Sequence, residues 1–437
     1  MNIIKWFKGR SDIEILLIIL TAIVIFLSCS GFYEDYRNTK YYGGIDLRTR
    51  VVGARLLNSE YSPSIFKWRE GVPDKLLDPN DLPEWKYNKI VHPPSILLFQ
   101  SLIAGLDYKD IRIIWFFFQY FCLFYIIFAF VRLAETVTKK YLVIIVGLLY
   151  TVLSSSWHLH VERGQIYIFY AFLLTVSYQL YNKPFLIFHE FISGIVLGVG
   201  AWLRPQLSLI LIPFAINRRN KFVIGALFGI LMGVSVTLLL NQGRDWKDYF
   251  DSMKSRIKIR EGRVHVFINS DVQYPKAVEG MDNLTDWARF RHVNTSVNSL
   301  LFFQFHLNLN LGQQLTLFTI LILMILLLFN KRIFTRDMNF LFLLGFLFAL
   351  ISEYFILFPR YPYNDVQWVF PLLIMMLKSD EINNIVLAFL SMGLVLINHW
   401  MSWLRYDLLL GQVCLILAVF FFLRISKSRP QFLDKEK

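Results

Sequence analysis

The sequence predicts an all-α, polytopic membrane protein, a bundle of about twelve transmembrane helices with two long hydrophilic loops on one side. Three observations predict it. The chain is 56% hydrophobic and 17% aromatic, with mean hydropathy +0.48, more apolar surface than a soluble core absorbs. Apolar runs long enough to read as membrane helices, about 18 residues, recur along its 437 residues. Basic residues also sort to alternate connections, as the cytoplasmic preference of Lys and Arg demands.

The basic N-terminus MNIIKWFKGR precedes an apolar run over 13–31. A cleaved signal peptide, with Ser28-Cys29-Ser30 as its small-residue site, is the competing reading. The run exceeds a signal core of about 7–15 residues, so an uncleaved helix with its N-terminus inside is expected. Further spans are expected at 111–134, 141–156, 166–181, 185–202, 205–216, 222–240, 314–329, 338–358, 366–377, 383–400 and 408–423.

The segment HPPSILLFQSLIAGL (92–106) decides the topology. From Pro93 to Leu106 a helix reaches only about 21 Å, short of the roughly 30 Å hydrocarbon layer. Counted as a span, it would put Lys139 and Lys140 outside. If it dips into or lies along the outer leaflet, Lys5, Lys8, Arg10, Lys139, Lys140, Lys183, Arg218, Arg219, Lys221, Lys331, Arg332, Arg336 and Lys378 all fall inside. The short outer turns then hold only Arg163, Arg204, Arg360 and Arg405, the arrangement the charge bias prefers. The expectation is one integral domain over 1–437 in the inner (plasma) membrane, both termini cytoplasmic, with extracytoplasmic loops at 32–110 and 241–313.

Net charge +13 fits basic cytoplasmic turns before it suggests a polyanionic ligand. The three cysteines lie in apolar spans, which excludes a disulfide framework and any thiolate or zinc motif. No DNA-binding module is present, and nucleic acid is not an expected partner; membrane lipids are.

The polar residues gather on the outer side. Asp46 heads LRTRVVGARLL, where Leu47, Val51 and Ala54 form one helical stripe suited to an interfacial helix. Asp46 is either the N-cap of that helix or a general base at the membrane surface, a role a carboxylate suits. The stretch WHLHVERGQ (157–165) packs His158, His160, Glu162 and Arg163 into one connection. A metal site there is weighed against loop solvation or pairing with Arg163, and no metal is expected. Arg204 follows a helix with Gly194, Gly198 and Gly200, whose spacing allows close helix packing. It either snorkels or forks onto a phosphate. In MKSRIKIREGR (253–263) cations at every second position form a one-sided strip if the chain is extended, suited to solvent or anionic headgroups. Asn283 and Asn294 open glycosylation sequons, a pattern frequent by chance.

The order of these pieces resembles glycosyltransferase family 87, polytopic enzymes of the GT-C superfamily related to bacterial mannosyl- and arabinofuranosyltransferases, over roughly residues 12–375. GGIDLRTRVVGARLL looks like the family's Asp-headed segment after the first span. HPPSILLF resembles its Tyr-Pro-Pro segment, with His92 for the aromatic. ERGQIYIFYAFLL resembles its Gly-Gln-Ile-Asn-Leu stretch, with Tyr167 for Asn. GIVLGVGAWLRP looks like the glycine-spaced helix ending in Lys-Pro, with Arg204 for Lys, and VNTSVNSLLF is similar to the stretch closing the second outer loop. One departure is substantial: where members carry Trp-x-His-His, this chain reads YPYNDVQWVFP, with Asn364 and Asp365 at the His pair.

The resemblance implies a GT-C-like bundle and an inverting transfer from a polyprenyl-phosphate sugar to a glycan or glycolipid acceptor. In that reading Asp46 is the base, and Arg204, His158 and Arg163 hold the donor phosphate. His92, Glu162, Gln165, Asn294 and Asp365 contact substrate. It implies no cofactor, since Arg and His can neutralise a phosphomonoester leaving group without metal. Two other classes compete. An envelope polysaccharide polymerase or ligase usually has one dominant outer loop with paired arginines, which the early Asp-bearing loop argues against. A transporter or flippase would show repeated halves with broken helices and charges at midplane, whereas the charges here cluster at one face.

Overall fold

The computed structural model describes residues 11–41, 44–59, 61–64, 73–76, 90, 92–152, 154–182, 188–241, 244–260, 296–297, 300–301, 305–307, 309–330, 332–333, 337–356, 360–398 and 407–426. Among them there is no strand. The helices are α1 (Asp12–Tyr41), α2 (Ile45–Leu57), α3 (Pro94–Ser101), α4 (Tyr108–Leu133), α5 (Val137–Val152), α6 (Ser155–Glu162), α7 (Tyr167–Tyr181) and α8 (His189–Leu203). There follow α9 (Leu211–Ile216), α10 (Asn220–Asn241), α11 (Arg244–Arg260), α12 (Leu311–Leu328), α13 (Met338–Ile356), α14 (Val369–Leu377), α15 (Asn384–Ile397) and α16 (Asp407–Ile425). Short 3₁₀ turns at Pro205–Ile210 and Pro362–Trp368 lead into α9 and α14.

Among the described residues six helices are long and apolar enough to cross a membrane: α1, α4, α10, α12, α13 and α16. A seventh crossing forms if α5 and α6, bent by 60° at their break, are one span. Each of the twelve expected segments carries a helix, but α7 and α8 have only 15 residues and α14 only 9. At 1.5 Å per residue the longer two reach about 22 Å, less than the hydrocarbon layer. Helix breaks explain part of the shortening. Pro205 ends α8 and opens a 3₁₀ turn, and α5 stops at Val152 before Ser154 caps α6 by accepting from Trp157 N.

Burial orders the bundle. The apolar stretch of α13 is 83% buried, whereas those of α1, α10 and α12 are 22% buried. α13 and α14 therefore form the centre, and α1, α10 and α12 present Leu, Ile and Phe outward, where lipid replaces core. The glycine-spaced helix packs as the sequence leads one to expect. A Cβ on Gly194 would lie 2.9 Å from Ala226 N and one on Gly198 3.0 Å from Ala226 Cα, so α8 and α10 meet backbone to backbone. Gly200 instead has ordinary contact with Leu207.

α2 bears out its stripe, with Leu47, Val51 and Ala54 all buried. α3 begins at Pro94 with Pro93 before it and runs only eight residues, too short to cross. The two helices pack through Val52, Leu56, Leu57 and Leu97, with Ile90 in the same cluster. The stretch read as an extended basic strip is helical up to Arg260 in α11 and not extended. Residues 261–263 and both sequons lie outside the described residues.

Candidate functional site

The site begins where α2 docks on the turn after α6. α6 ends at Glu162, and Gly164 reverses the chain at φ 65°, a conformation that favours glycine. A Cβ there would sit 2.7 Å from Leu47 Cβ, so the missing side chain also admits α2. Main-chain bonds lock the two together: Gly44 N donates to Glu162 O at 2.5 Å and Leu47 N to Arg163 O at 3.2 Å. Tyr108 Oη donates to Gly44 O at 2.9 Å, and the fully buried Arg50 donates to Gly164 O with its guanidinium 5.2 Å from the Trp115 ring. Burial lowers the Arg50 pKa, and Asp46 is the first group opposing that shift.

Asp46 is not the helix cap. Gly44, at φ 76°, occupies the cap position and makes no side-chain bond, and Asp46 lies in the first turn. Its Oδ2 accepts from Gln165 Nε2 at 2.5 Å, and Arg163 Nη1 lies 3.5 Å away. Gln165 is itself fixed, its carbonyl accepting from Trp115 Nε1 at 3.2 Å and Gln119 Nε2 at 2.9 Å. Among the described residues Asp46 Oδ1 has no hydrogen-bonding protein partner, and the side chain is 27% exposed beside a 37% exposed Arg163. The arrangement holds one carboxylate oxygen and leaves the other open to a ligand. Gly164→Ala should therefore cost at least about 1–2 kcal/mol from the left-handed strain alone. Sugar transfer and the melting temperature should fall together; an unchanged melting temperature would show that this turn does not set the position of α2.

Below the turn lies an aromatic and ionic tract. Tyr363 packs between Tyr361, 5.2 Å away and stacked, and Tyr167, 5.7 Å away. Burial raises the Tyr363 pKa, and the fields of Tyr167 and Asp46 add to that rise. Arg204 lies under the Tyr167 ring at 4.6 Å and near Tyr170 at 5.1 Å. Its Nη1 donates to Gln367 Oε1 at 2.8 Å and its Nη2 to Glu353 Oε1. Arg360 Nε lies 3.4 Å from Glu353 Oε2 and Arg360 Nη2 2.8 Å from Asp365 Oδ1. Gln412 Nε2 donates to both Asp365 oxygens at 2.9 and 2.7 Å. All are buried. Burial raises the Asp365 pKa, with Arg360 the first group opposing it.

A third cluster centres on Asp35, buried near the end of α1. Its Oδ2 accepts from Tyr120 Oη at 2.7 Å and Trp157 Nε1 at 3.1 Å, and its Oδ1 lies 2.7 Å from His158 Nδ1. His160 points elsewhere, fully buried, with Nδ1 3.0 Å from Gln119 Nε2 and Nε2 accepting from Ile168 N at 3.3 Å. His158, His160 and the exposed Glu162 thus diverge, and among the described residues no group of three His, Cys, Asp or Glu is placed to hold a metal.

The structure brings Asp46, Arg163 and Gln165 into direct contact, with Glu162 joining through its backbone carbonyl. Arg204 and Asp365 belong to the buried network beneath, and His158 to the Asp35 cluster. His92 is half-buried just before α3, and Asn294 lies outside the described residues. Sequence reasoning missed Asp35, Glu353, Gln367 and Gln412. The first two carried a signal, since a carboxylate within an apolar helix marks a polar cluster.

A helical, membrane-spanning chain with an oriented, half-open carboxylate beside a guanidinium has the parts of a membrane transferase. The family model of Glycosyltransferase family 87 matches residues 91–359, and the chain belongs to that family. It is a membrane glycosyltransferase. The Asp46 segment precedes the matched residues and YPYNDVQW follows them. No curated protein and no solved structure matches the chain.

Proposed function

We propose that the chain moves a sugar, with inversion, from a polyprenyl-phosphate donor to a hydroxyl of a glycan or glycolipid acceptor on the extracytoplasmic face. One observation carries the reading: Asp46 is pinned through Oδ2 by Gln165 while Oδ1 faces no protein group among the described residues. The acceptor hydroxyl gives its proton to Oδ1 as its oxygen attacks the anomeric carbon. The bond from that carbon to the phosphate oxygen breaks, and lipid phosphate leaves with the electron pair.

Arg163 and His158 are the cations for the departing phosphate, where preorganised donors act most strongly. Arg204, engaged by Glu353 and Gln367, reaches a phosphate only by exchanging Glu353 and otherwise fixes Tyr167 from below. Gln165 orients the base. Tyr363 and Tyr167 pack against each other in the aromatic tract, and His92, Glu162, Asn294 and Asp365 remain substrate-side candidates. In this reading both termini are cytoplasmic and the membrane is the plasma (inner) membrane; the sorting of basic residues supports the orientation.

Purified protein incubated with a panel of radiolabelled polyprenyl-phosphate sugars should transfer label from at least one of them to an acceptor glycolipid extract. Transfer only from lipid-diphosphate sugars would overturn the donor assignment.

A further inference from the structure

Between α1, α4 and α5 runs an apolar groove that the site just described does not use. It encloses about 480 Å³ and is walled by Ser28, Phe32, Phe124, Leu148 and Val152, among others. Along α4 it extends from Tyr120 to Val131, about 16 Å at the helical rise. Its lining is almost wholly apolar, as suits hydrocarbon.

One end of this groove is different in kind. Tyr120 lines it, and the Tyr120 hydroxyl is a ligand of the buried Asp35. Gly31 joins the two regions. A Cβ there would lie 2.8 Å from Val152 Cγ1, a groove wall, and 3.6 Å from His158 Cε1. The imidazole thus lies close to Gly31, which packs against the groove's Val152 wall. Asp35 holds its Nδ1, with Tyr120 and Trp157 completing the carboxylate's bonds. His158 Nε2 has no protein partner among the described residues, and the side chain is 33% exposed. A carboxylate so placed fixes the ring and favours a proton on each nitrogen when an anion binds Nε2.

We infer that this groove holds the phosphate-proximal stretch of the donor's single prenyl chain, with His158 Nε2 donating to the lipid phosphate. The inference rests on the proposed function and deepens it by giving the donor lipid a place. One hydrocarbon chain fits a slot between three helices, and the donor's phosphodiester, which becomes a phosphomonoester as the sugar leaves, carries an oxygen that a cationic N–H recognises. A bilayer phospholipid brings two chains, for which the slot is not matched.

The test uses full-length protein in lipid nanodiscs and a polyprenyl phosphate bearing a diazirine on its proximal isoprene. After irradiation, adducts should map to residues 120–131 and 144–152. Unlabelled polyprenyl phosphate should suppress them, and equal phosphatidylglycerol should not. Leu148→Trp, which fills the slot, should abolish labelling there, and His158→Ala should cut it about ten- to a hundredfold, the worth of a charged hydrogen bond. Equal competition by phosphatidylglycerol would overturn the inference, making the groove ordinary lipid-facing surface. Labelling in the other apolar groove, between α12, α13 and α16, would overturn it as well. Because labelling needs no turnover, it separates two failures. Adducts in this groove without sugar transfer would sink the proposed reaction alone, and transfer with adducts elsewhere would sink the groove alone.

Discussion

Asp46→Asn should reduce sugar transfer by about 10²–10⁴-fold, the usual worth of a positioned general base. Asn is nearly isosteric, and its carbonyl oxygen can still accept from Gln165 Nε2, so the orientation of the side chain survives. What disappears is a basic oxygen on the open side. The substitution also removes a negative charge near Arg163 and the fully buried Arg50, so a loss of activity could have a trivial cause in folding. Asp46→Glu separates the two. It keeps the charge but displaces the carboxylate by one methylene, and a misplacement of about 1 Å is enough to cost some 10²-fold. The expected pattern is low turnover in both variants, with the melting temperature of the Glu variant close to that of the parent. Near-full turnover in Asp46→Asn would remove Asp46 as the base whatever the stability of the variant.

The fold was legible where physics is local. The stripe of Leu47, Val51 and Ala54 follows from helical period, the short α3 from Pro93-Pro94, and the close approach of α8 and α10 from glycine spacing. The direct neighbourhood of Asp46 with Arg163 and Gln165 was only half legible. Those residues were singled out, but the hydrogen bond joins positions 119 residues apart, which no spacing rule reports. The cap reading of Asp46 failed because Gly44 takes the left-handed position one residue before the helix, a choice set by its docking to Glu162 O.

Long-range pairing hid the rest. Arg204 looked like a snorkelling or phosphate-binding cation at the edge of a span because its partner Glu353 lies 149 residues later inside an apolar run. Tyr167 reads from sequence as a replaced Asn, yet its ring joins Arg204 to Tyr363. Of the twelve crossings expected, six, or seven with the bent pair, rest on helices long and apolar enough to span among the described residues. Hydropathy finds apolar segments, and α7, α8 and α14 are apolar but shorter than a straight span.

Arg204→Ala should act on the fold first. Arg204, Glu353, Arg360 and Asp365 are two cations and two anions, all buried, so the network is neutral only when complete. Deleting Arg204 leaves the Glu353 carboxylate with Gln367 Nε2 at 3.4 Å and Arg360 Nε at 3.4 Å, both long contacts. Breaking a buried pair from one side costs about 3–5 kcal/mol because the stranded charge stays desolvated. The single variant should therefore give a lower melting temperature and less monodisperse protein in detergent. Arg204→Met combined with Glu353→Leu should recover much of that loss, since apolar replacement of both partners is often neutral. Transfer should stay low in the double variant, because Tyr167 loses the guanidinium 4.6 Å beneath its ring and with it the support that fixes it against Tyr363. The opposite outcome has its own meaning. If Arg204→Ala melts like the parent and loses only its response to donor concentration, the guanidinium is a phosphate ligand that exchanges Glu353 during the reaction.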